Sequence, residues 1–434
     1  MSSTHLPQVT PHPNTSPSHT ANHPNTWPTH IANRLTTWST QGLERHMRTF
    51  TTGQTPHARI DNHARLLFSS SNYLGLAEHP AITTAAREAL ERYGVGSGGS
   101  RLTTGNTHEH DLLERELAQW LRYPAACFFA TGYQANVGTI ATLADAQTVI
   151  FSDQRNHASI IDGCRLAKAT HGTHTIVYPH RDTAALARLM DTTRAELPDH
   201  RFLLISDGVF SMDGTIAPLP TLLEVATRYG ALTIIDDAHG IGTLGTGRGI
   251  IDLGNSRPDV LIGTASKALG AEGGFVCASA DIVRLLRNQA RSFVFSTSNS
   301  PAIAAAVRTA VGIVSLGGDA TPTHQLHHNA TVLRTQLAAA GLGAVVVDEA
   351  SVTPIIPVHI GAEDKAMAVA AELQARGFHV PAIRYPTVPR GAAILRVTVM
   401  ATHTEEQITR FVEVLQEVME AVTEAGESTP PLQP

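Results

Sequence analysis

Residues 231–240 read ALTIIDDAHG, an apolar run that ends in two carboxylates and a histidine. Similar runs occur at 148–153 (TVIFSD), 201–208 (RFLLISDG) and 258–264 (PDVLIGT), and helix-like stretches separate them. Strands that are apolar at consecutive positions are typical of a parallel sheet covered by helices on both faces. The sequence therefore predicts an α/β fold with a large domain built on a mostly parallel sheet.

The pattern changes along the chain, and these changes predict its organisation. Residues 1–30 are rich in Pro, Thr, Asn and His and contain the tetrapeptide HPNT twice, which favours a disordered tail. From about residue 306, long amphipathic helices alternate with a few strands, as in a smaller α+β domain. We expect a tail at 1–30, an N-terminal segment at 31–66, a large domain at 67–305, a C-terminal domain at 306–425 and a flexible tail at 426–434.

Composition excludes several classes of protein. The chain of 434 residues has a net charge of −6, which gives no global attraction for nucleic acid. No run approaches the roughly 18 apolar residues that cross a bilayer, and the first thirty residues have no apolar signal region. Three widely spaced cysteines form neither a disulfide framework nor a zinc site. We expect a cytoplasmic protein that binds no nucleic acid, membrane or metal.

Polar side chains follow the predicted strands at the point where each strand ends. In open α/β sheets, ligands bind beyond the carboxyl ends of the strands, so these side chains should share one rim. The candidates at this rim are His157, Ser211, Asp236, His239, Thr264, Ser266 and Lys267.

Lys267 is one of three lysines in a chain that has 29 arginines. Arginine cannot be deprotonated at ordinary pH or form an imine, whereas a desolvated lysine can do both. An imine-forming lysine, a carboxylate on a nearby strand and hydroxyl groups for a phosphate are the requirements of pyridoxal 5'-phosphate. The set therefore predicts a site for this cofactor.

The remaining candidates fit the same cofactor. Asp236 would pair with the pyridinium nitrogen, and Thr264 and Ser266 would lie near the phosphate. The strand and helix in FFATGYQAN place Gly132 and Tyr133 at a helix start, where backbone N–H groups bind phosphate. His157 would cover the face of the ring.

Each of these signals also has a structural interpretation. Asp236 alone could cap a helix, and His239 alone could be a satisfied buried histidine. The segment 94–99 (GVGSGG) matches a dinucleotide-binding pattern literally, but it follows a helix rather than a strand. The cluster HEHD at 108–111 is typical of a charged helix N-terminus rather than a metal site. The joint placement of the rim residues favours the cofactor site.

Several motifs, in order, resemble one family. They are SNYLGLAEHP, YGVGSGGSRLTTGNTHEHDLLE, TGYQAN, SDQRNHASIIDG, GVFSMDG, DDAHGIGTLG, TASKALG, FSTSNSP and PAIRYPTVPRGAAILRVTVMATHT, between residues 67 and 404. Together they resemble the α-oxoamine synthases, fold-type-I pyridoxal phosphate enzymes that join an amino acid to an acyl thioester with loss of CO2. The resemblance implies a fold-type-I transferase that works as a homodimer with a shared active site.

The resemblance also implies a role for each matching residue. Lys267 would form the imine and exchange the proton at the substrate Cα, and Asp236 would hold the ring nitrogen. His239 and Ser211 would bind the phenolic oxygen, and His157 would stack on the ring. The implied phosphate ligands are Gly132, Tyr133 and Thr264, together with Ser296 and Thr297 acting on the partner subunit's phosphate. The implied substrate-binding residues are Asn72, Ser100 and Arg384.

Within the family, the substrates remain open between branches. GSGGSR (96–101) and PAIRYPTVP (381–389) are most similar to the branch that joins L-alanine to a pimeloyl thioester carried by CoA or by a carrier protein. A glycine-using acetyl-transferring branch and a specialised-metabolite synthase with another acyl chain are the alternatives. From other classes, a plain aminotransferase or a non-catalytic scaffold subunit would also keep the fold, although a scaffold would be expected to have lost Lys267.

Overall fold

A computed structural model describes residues 26–254, 256–318, 320–342 and 352–427. The chain divides into two compact units, with the boundary between Arg48 and Thr49. In the first unit, helix α1 spans Trp27–Thr40. Pro28 lies in its first turn, where the fixed φ of proline favours a helix. The last four residues of the predicted tail 1–30 therefore belong to a helix, and residues 1–25 lie outside the described residues.

The second unit contains the other elements. Its strands are β1 (His57–Ile60), β2 (His63–Leu67), β3 (Ala125–Phe129), β4 (Thr148–Asp153), β5 (His174–Tyr178), β6 (Arg201–Asp207), β7 (Leu232–Asp236), β8 (Val260–Thr264), β9 (Gly274–Ala278), β10 (Ile355–Gly361), β11 (Phe378–His379), β12 (Ala382–Ile383) and β13 (Ala393–Thr398). Its helices are α2 (Pro80–Tyr93), α3 (His108–Leu121), α4 (Gly132–Leu143), α5 (Ala158–His171), α6 (Thr183–Glu196), α7 (Leu219–Tyr229), α8 (Ala280–Gln289), α9 (Arg291–Val294), α10 (Pro301–Ser315), α11 (Pro322–Ala339), α12 (Glu363–Ala375) and α13 (Glu405–Glu427).

Within the described residues, seven strands form the large sheet in the order β3-β9-β8-β7-β6-β4-β5. Neighbouring strands are parallel except at β9, which is antiparallel to both β3 and β8. All residues of β4 and β8 are buried, which explains their consecutive apolar residues. The predicted mostly parallel sheet and α/β class are confirmed.

The register of the sheet brings the strand ends together. Asp207 of β6 is paired with Asp236 of β7, and Asp236 is paired with Ile262 of β8. The segments that follow these strands therefore leave the sheet at the same edge. This edge carries the candidate site.

The strands of the C-terminal part contribute to two small sheets. One has the order β10-β13-β12, and in the other, with the order β1-β2-β11, the strand β11 pairs with the N-terminal hairpin β1-β2. Every residue of β13 is buried. The segment before residue 74 runs along this part, because Thr398 N–H donates to Phe68 O at 2.9 Å and Ala401 N–H donates to Tyr73 O at 2.7 Å. Segments from both ends of the described unit are thus joined by strand pairing and hydrogen bonds.

Two predicted domain boundaries fall inside helices. A boundary after residue 305 lies within α10, which packs against α2 and α3 and so belongs with the elements before it. The predicted tail at 426–434 starts within α13, and residues 428–434 lie outside the described residues. None of the helices in the described ranges combines the length and the apolar composition needed to cross a bilayer.

Candidate active site

A cavity of about 230 Å³ lies at the carboxyl edge of the large sheet. Its lining residues are Thr131, Gly132, Tyr133, Asn136, His157, Ser159, Asp207, Val209, Ser211, Asp236, Ala238, His239, Thr264, Ser266 and Lys267. The predicted residues among them are Gly132, Tyr133, His157, Ser211, Asp236, His239, Thr264, Ser266 and Lys267. Side chains from segments more than 130 residues apart therefore surround one space.

Asp236 ends β7 and is 5% exposed. Its Oδ2 accepts a hydrogen bond from Asn136 Nδ2 at 2.5 Å, and its Oδ1 accepts one from Ala238 N–H at 2.9 Å. Asn136 Nδ2 also donates to Ser159 Oγ at 2.9 Å, which orients the amide. Neutral amide donors thus fix the carboxylate without cancelling its charge.

A second carboxylate lies beside the first. Asp207, at the end of β6, accepts a hydrogen bond from His157 N–H at 2.8 Å, at the start of α5. Burial and the neighbouring charge of Asp236 raise the pKa of Asp207 well above its usual value. The cavity wall therefore carries two adjacent carboxyl groups, and ionisation of Asp207 is disfavoured.

Lys267 follows β8, and the charges of both carboxyl groups act on its amine. Burial lowers the pKa of its amine, and the charges of Asp236 and Asp207 partly oppose this effect. An amine with a lowered pKa is more often neutral, which is the form that attacks an aldehyde and accepts a proton. The cavity thus contains a buried amine at the position for which the sequence predicts an imine-forming lysine.

Burial disfavours the cationic form of the two histidines of the cavity. Burial lowers the pKa of His157, against the attraction of Asp236. Burial also lowers the pKa of His239 well below its ordinary value, and the positive charges of Lys267 and Arg396 add to this. The histidines therefore act as stacking surfaces or hydrogen-bonding groups rather than as fixed cations.

The start of α4 forms one end of the cavity. Its first residue, Gly132, lies against Thr264, and a Cβ on Gly274 would approach the Gly132 backbone to 2.5 Å. Thr264 Oγ1 and Ser266 Oγ are 2.7 Å apart. A helix N-terminus with adjacent hydroxyl groups binds phosphate, and Gly274 allows the start of α4 to lie directly against β9. The residues present therefore fit pyridoxal phosphate: an anion site, an amine for the aldehyde, and a carboxylate for a cationic ring nitrogen.

Five predicted residues do not line the cavity: Asn72, Ser100, Ser296, Thr297 and Arg384. The Asn72 side chain bonds to local backbone, because its Nδ2 donates to Gln54 O at 3.1 Å and its Oδ1 accepts from Ala77 N–H at 3.2 Å. Arg384 lies half-buried after β12. The predicted roles of these residues stay predictions.

Ser100 and Thr297 belong to two loops that pair with each other. They form a β-bridge, and Ser298 N–H donates to Gly99 O at 3.0 Å. Buried His110 of α3 holds one of these loops, because its Nε2 donates to Asn299 O at 3.1 Å. The predicted acyl-binding and partner-facing hydroxyl groups thus form a single substructure outside the cavity.

The sequence did not single out several side chains at or near the cavity. Asn136 lies in the first residues of α4, and Ser159 lies in the first residues of α5. Each helix starts shortly after a strand ends, so the sequence itself places these two side chains near the strand ends. Arg396 is a buried arginine in the apolar strand β13, and its Nε donates to Ser211 O at 2.6 Å. Arginine is almost never buried without a partner, so this residue was a candidate from its surroundings alone.

Comparisons with known proteins match most of the chain. The family model "Aminotransferase class I and II" matches residues 65–415. The biotin biosynthesis bifunctional protein BioWF of Corynebacterium kroppenstedtii is 45% identical over 87% of this chain and 56% of its own length. The chain therefore spans just over half the length of this relative. The 8-amino-7-oxononanoate synthase of Geobacter metallireducens is 46% identical over 86% of this chain and 93% of its own length.

Solved structures agree with these matches. The serine palmitoyltransferase of Sphingomonas wittichii superposes with a TM-score of 0.83 at 29% identity, over 93% of this chain and 100% of that chain. The 8-amino-7-oxononanoate synthase of Francisella tularensis superposes with a TM-score of 0.68 at 28% identity, over 83% of this chain and 99% of that chain. The chain belongs to the class I and II aminotransferase family and, within it, to the fold-type-I α-oxoamine synthases.

Proposed function

We propose that this chain is a pyridoxal phosphate-dependent C-acyltransferase that condenses L-alanine with a pimeloyl thioester and releases CO2. The product is 8-amino-7-oxononanoate, and the reaction belongs to biotin biosynthesis. The observation that carries the proposal is that Lys267 and Asp236 line one cavity in a chain 46% identical to an 8-amino-7-oxononanoate synthase. The thioester is carried by CoA or by a carrier protein, and the enzyme is a cytoplasmic homodimer.

The bound cofactor supplies an aldehyde for the amino group of the substrate and a protonated ring that accepts the electron pair of a Cα carbanion. Asp236 keeps the ring nitrogen protonated, and the amide donors of Asn136 and Ala238 hold this carboxylate in place. His157 covers the ring face. His239 and Ser211 bind the phenolic oxygen. The phosphate contacts the start of α4, with Thr264 and Ser266, and the partner subunit's copies of Ser296 and Thr297 complete it.

Lys267 removes the proton from the substrate Cα and later returns one to it. Its neutral amine removes the Cα proton of the amino acid, and the thioester carbonyl carbon then bonds to Cα while the thiol leaves. After the bond between Cα and the carboxylate breaks and CO2 departs, the Lys267 ammonium returns a proton to Cα. Asp236 acts in both steps, because each leaves an electron pair at the same carbon.

The substrate carboxylate needs a cation that can bind both of its oxygens. Asn72 and Arg384 are the residues proposed from the sequence. Arg396 is a further candidate, because it contacts Ser211 at the cavity and its charge reaches both His239 and Lys267. Ser100 is proposed to contact the acyl chain from the loop pair.

A longer acyl donor is the second candidate. It is favoured by one observation, the higher TM-score with serine palmitoyltransferases, which match at 0.78 to 0.83 against 0.68 for an 8-amino-7-oxononanoate synthase. Sequence identity favours the first candidate, with 46% against 29%. The two candidates differ in acyl length and in the amino acid used, and an assay separates them directly.

The test uses the purified protein loaded with pyridoxal phosphate. Alanine, glycine and serine are each paired with acetyl, pimeloyl and palmitoyl thioesters while free thiol and CO2 are measured. We expect alanine with pimeloyl thioester to react fastest, with one CO2 per thiol. Lys267→Ala should abolish turnover, whereas the exposed Lys168→Ala control on α5 should retain it. Conversion of the amino acid to its α-keto acid, with no release of thiol or CO2, would instead indicate an aminotransferase, and inactivity with every pair would contradict the proposal.

A further inference from the structure

Tyr73 is a fully buried tyrosine that reaches the cavity only through a histidine. Its phenolic oxygen lies 2.8 Å from His239 Nδ1, and the two ring centroids are 6.0 Å apart. Tyr73 itself is 0% exposed and does not line the cavity, whereas His239 does. The contact therefore joins a cavity group to a residue behind the cavity wall.

The direction of this hydrogen bond follows from the number of protons available. The phenol of Tyr73 has one proton, and within the described part of the chain His239 Nδ1 is its partner. If Nδ1 donated, the buried O–H of Tyr73 would lose its acceptor, which costs about 1–3 kcal/mol. If Tyr73 donates, both groups are satisfied. The geometry thus favours a protonated Tyr73 oxygen that donates to an unprotonated Nδ1.

The remaining question is which ring nitrogen of His239 carries a proton. Burial and the nearby positive charges of Lys267 and Arg396 lower the pKa of His239 well below its ordinary value, which favours the neutral ring with a single proton. With Nδ1 acting as an acceptor, this proton must lie on Nε2. Nε2 is the nitrogen left for the cavity, and it is then a donor. A phenolate oxygen on a bound ring is an acceptor and requires this donor.

The backbone around Tyr73 connects it to β13. Tyr73 O accepts from Ala401 N–H at 2.7 Å, just after this strand. Arg396, on the same strand, donates to Ser211 O at 2.6 Å. His239 and Ser211 are the two residues proposed to bind the phenolic oxygen. Ser211 is bonded directly to Arg396 of β13, and His239 is connected to the end of this strand through Tyr73.

We propose that Tyr73 is a positioning residue that fixes His239 in the Nε2–H tautomer, so that His239 donates a hydrogen bond into the cavity. The proposal rests on the proposed function only for the identity of the acceptor. The tautomer itself is a property of the protein without any bound group. Its test can therefore succeed or fail independently of the reaction.

The direct test is the tautomer of His239 in cofactor-free protein labelled with 15N-histidine. The His239 signals are assigned by their loss in His239→Gln, and long-range 1H–15N spectra distinguish protonated from unprotonated nitrogens. We expect a single Nε2–H form in the unmodified protein and loss of this preference in Tyr73→Phe. A protonated Nδ1 in the unmodified protein, or an unchanged tautomer in Tyr73→Phe, would overturn the proposal.

Tyr178→Phe is the matched control. Tyr178 is equally buried, on β5, three strands away from β7 in the sheet. This variant should keep the Nε2–H form, and a loss of tautomer preference there would also count against the proposal. In loaded protein, the pH midpoint of the cofactor absorption band should shift in Tyr73→Phe and not in Tyr178→Phe. If the unmodified protein fails to bind cofactor, the proposed function fails while the tautomer still decides the role of Tyr73.

Discussion

Two buried carboxylate sites in this chain are built in opposite ways. Glu114 of α3 bonds to Arg101 at 2.9 Å and to Arg287 at 2.6 Å, and it also accepts from Phe128 N–H at 2.7 Å. Two cations thus surround one anion, and every element involved belongs to the scaffold. The two arginines supply the positive charge that offsets this anion within the chain.

The pair Asp207 and Asp236 has the reverse composition. Two adjacent carboxyl groups face one amine, Lys267, whose pKa is lowered, and two neutral histidines complete the wall. The donors to Asp236 are amides, which carry no charge. The comparison teaches that a buried carboxylate marks a functional site when the protein leaves its charge unmatched, because a bound cation can then supply the balance.

Removing the unmatched charge should have the largest effect. Asp236→Asn keeps the shape of the side chain but removes the charge that would hold a cationic ring nitrogen. Its amide nitrogen also replaces one of the two oxygens that accept from Asn136 Nδ2 and Ala238 N–H. We expect kcat/KM to fall roughly 10² to 10³-fold, as for loss of one preorganised electrostatic group. Steady-state kinetics measures this, and chemical unfolding of the cofactor-free variant should show a loss of about 1–3 kcal/mol for the donor that the amide nitrogen cannot satisfy. Unchanged kinetics would show that the charge is not used.

Removing the matched charge should affect stability instead. Glu114→Gln leaves Arg101, whose side chain is 7% exposed, without its anion. Loss of one partner from a buried ion pair costs about 3–5 kcal/mol. Urea unfolding of the cofactor-free protein measures this cost, while the absorption spectrum of the loaded variant should be unchanged. A spectrum that changes as strongly as in Asp236→Asn would remove the distinction between the two sites.

The buried histidine next to Glu114 gives a pH test. Burial lowers the pKa of His110 from 6.5 to about 4. Its contribution to stability is therefore fully present above pH 6.5 and is lost as the pH falls towards 4, by about 3 kcal/mol. The raised pKa of Asp207 acts in the opposite direction, because stability is then lost as the pH rises.

Urea unfolding between pH 4 and pH 7 separates the two contributions. His110→Gln should flatten the loss of stability towards low pH, and Asp207→Asn should make it steeper. Equal slopes in the unmodified protein and in His110→Gln would show that His110 is not neutral when folded.

The smallest effect is expected at the cavity mouth. Tyr133 OH donates to Asp162, which also pairs with Arg165, and all three groups are exposed. Exposed pairs change stability by less than about 0.5 kcal/mol. Tyr133→Phe should therefore leave cofactor affinity, measured by fluorescence titration, within roughly twofold of the unmodified protein. A tenfold loss would show that the Tyr133 side chain, and not only its backbone N–H, contributes to the anion site.

Much of the fold could be predicted because buried parallel strands have a distinctive composition. The direction of β9 could not be read from GGFVCAS, since an apolar strand has the same residues in either direction. The connection gave a signal, however, because residues 265–273 are too few for the crossover that parallel strands require. Helix α1 was missed because Thr, Asn and Pro dominate this region of the sequence.

The site was predictable where it depends on strand ends and unpredictable where it depends on packing. Lys267, Asp236, His239 and His157 follow strands directly, so the parallel sheet alone brings them together. Asn136 lies 100 residues from its partner Asp236, and only the packing of α4 against the sheet creates their contact. Arg396 and Tyr73 come from segments outside the large sheet, for which periodicity gives no position.

The central claim is that Lys267 is the residue that binds the cofactor aldehyde in this cavity. Borohydride reduction of the loaded protein followed by peptide mass mapping tests it directly. The account predicts a pyridoxyl phosphate adduct on the peptide that contains Lys267 and on neither Lys168 nor Lys365. An adduct on one of those two lysines, with Lys267 unmodified, would contradict it.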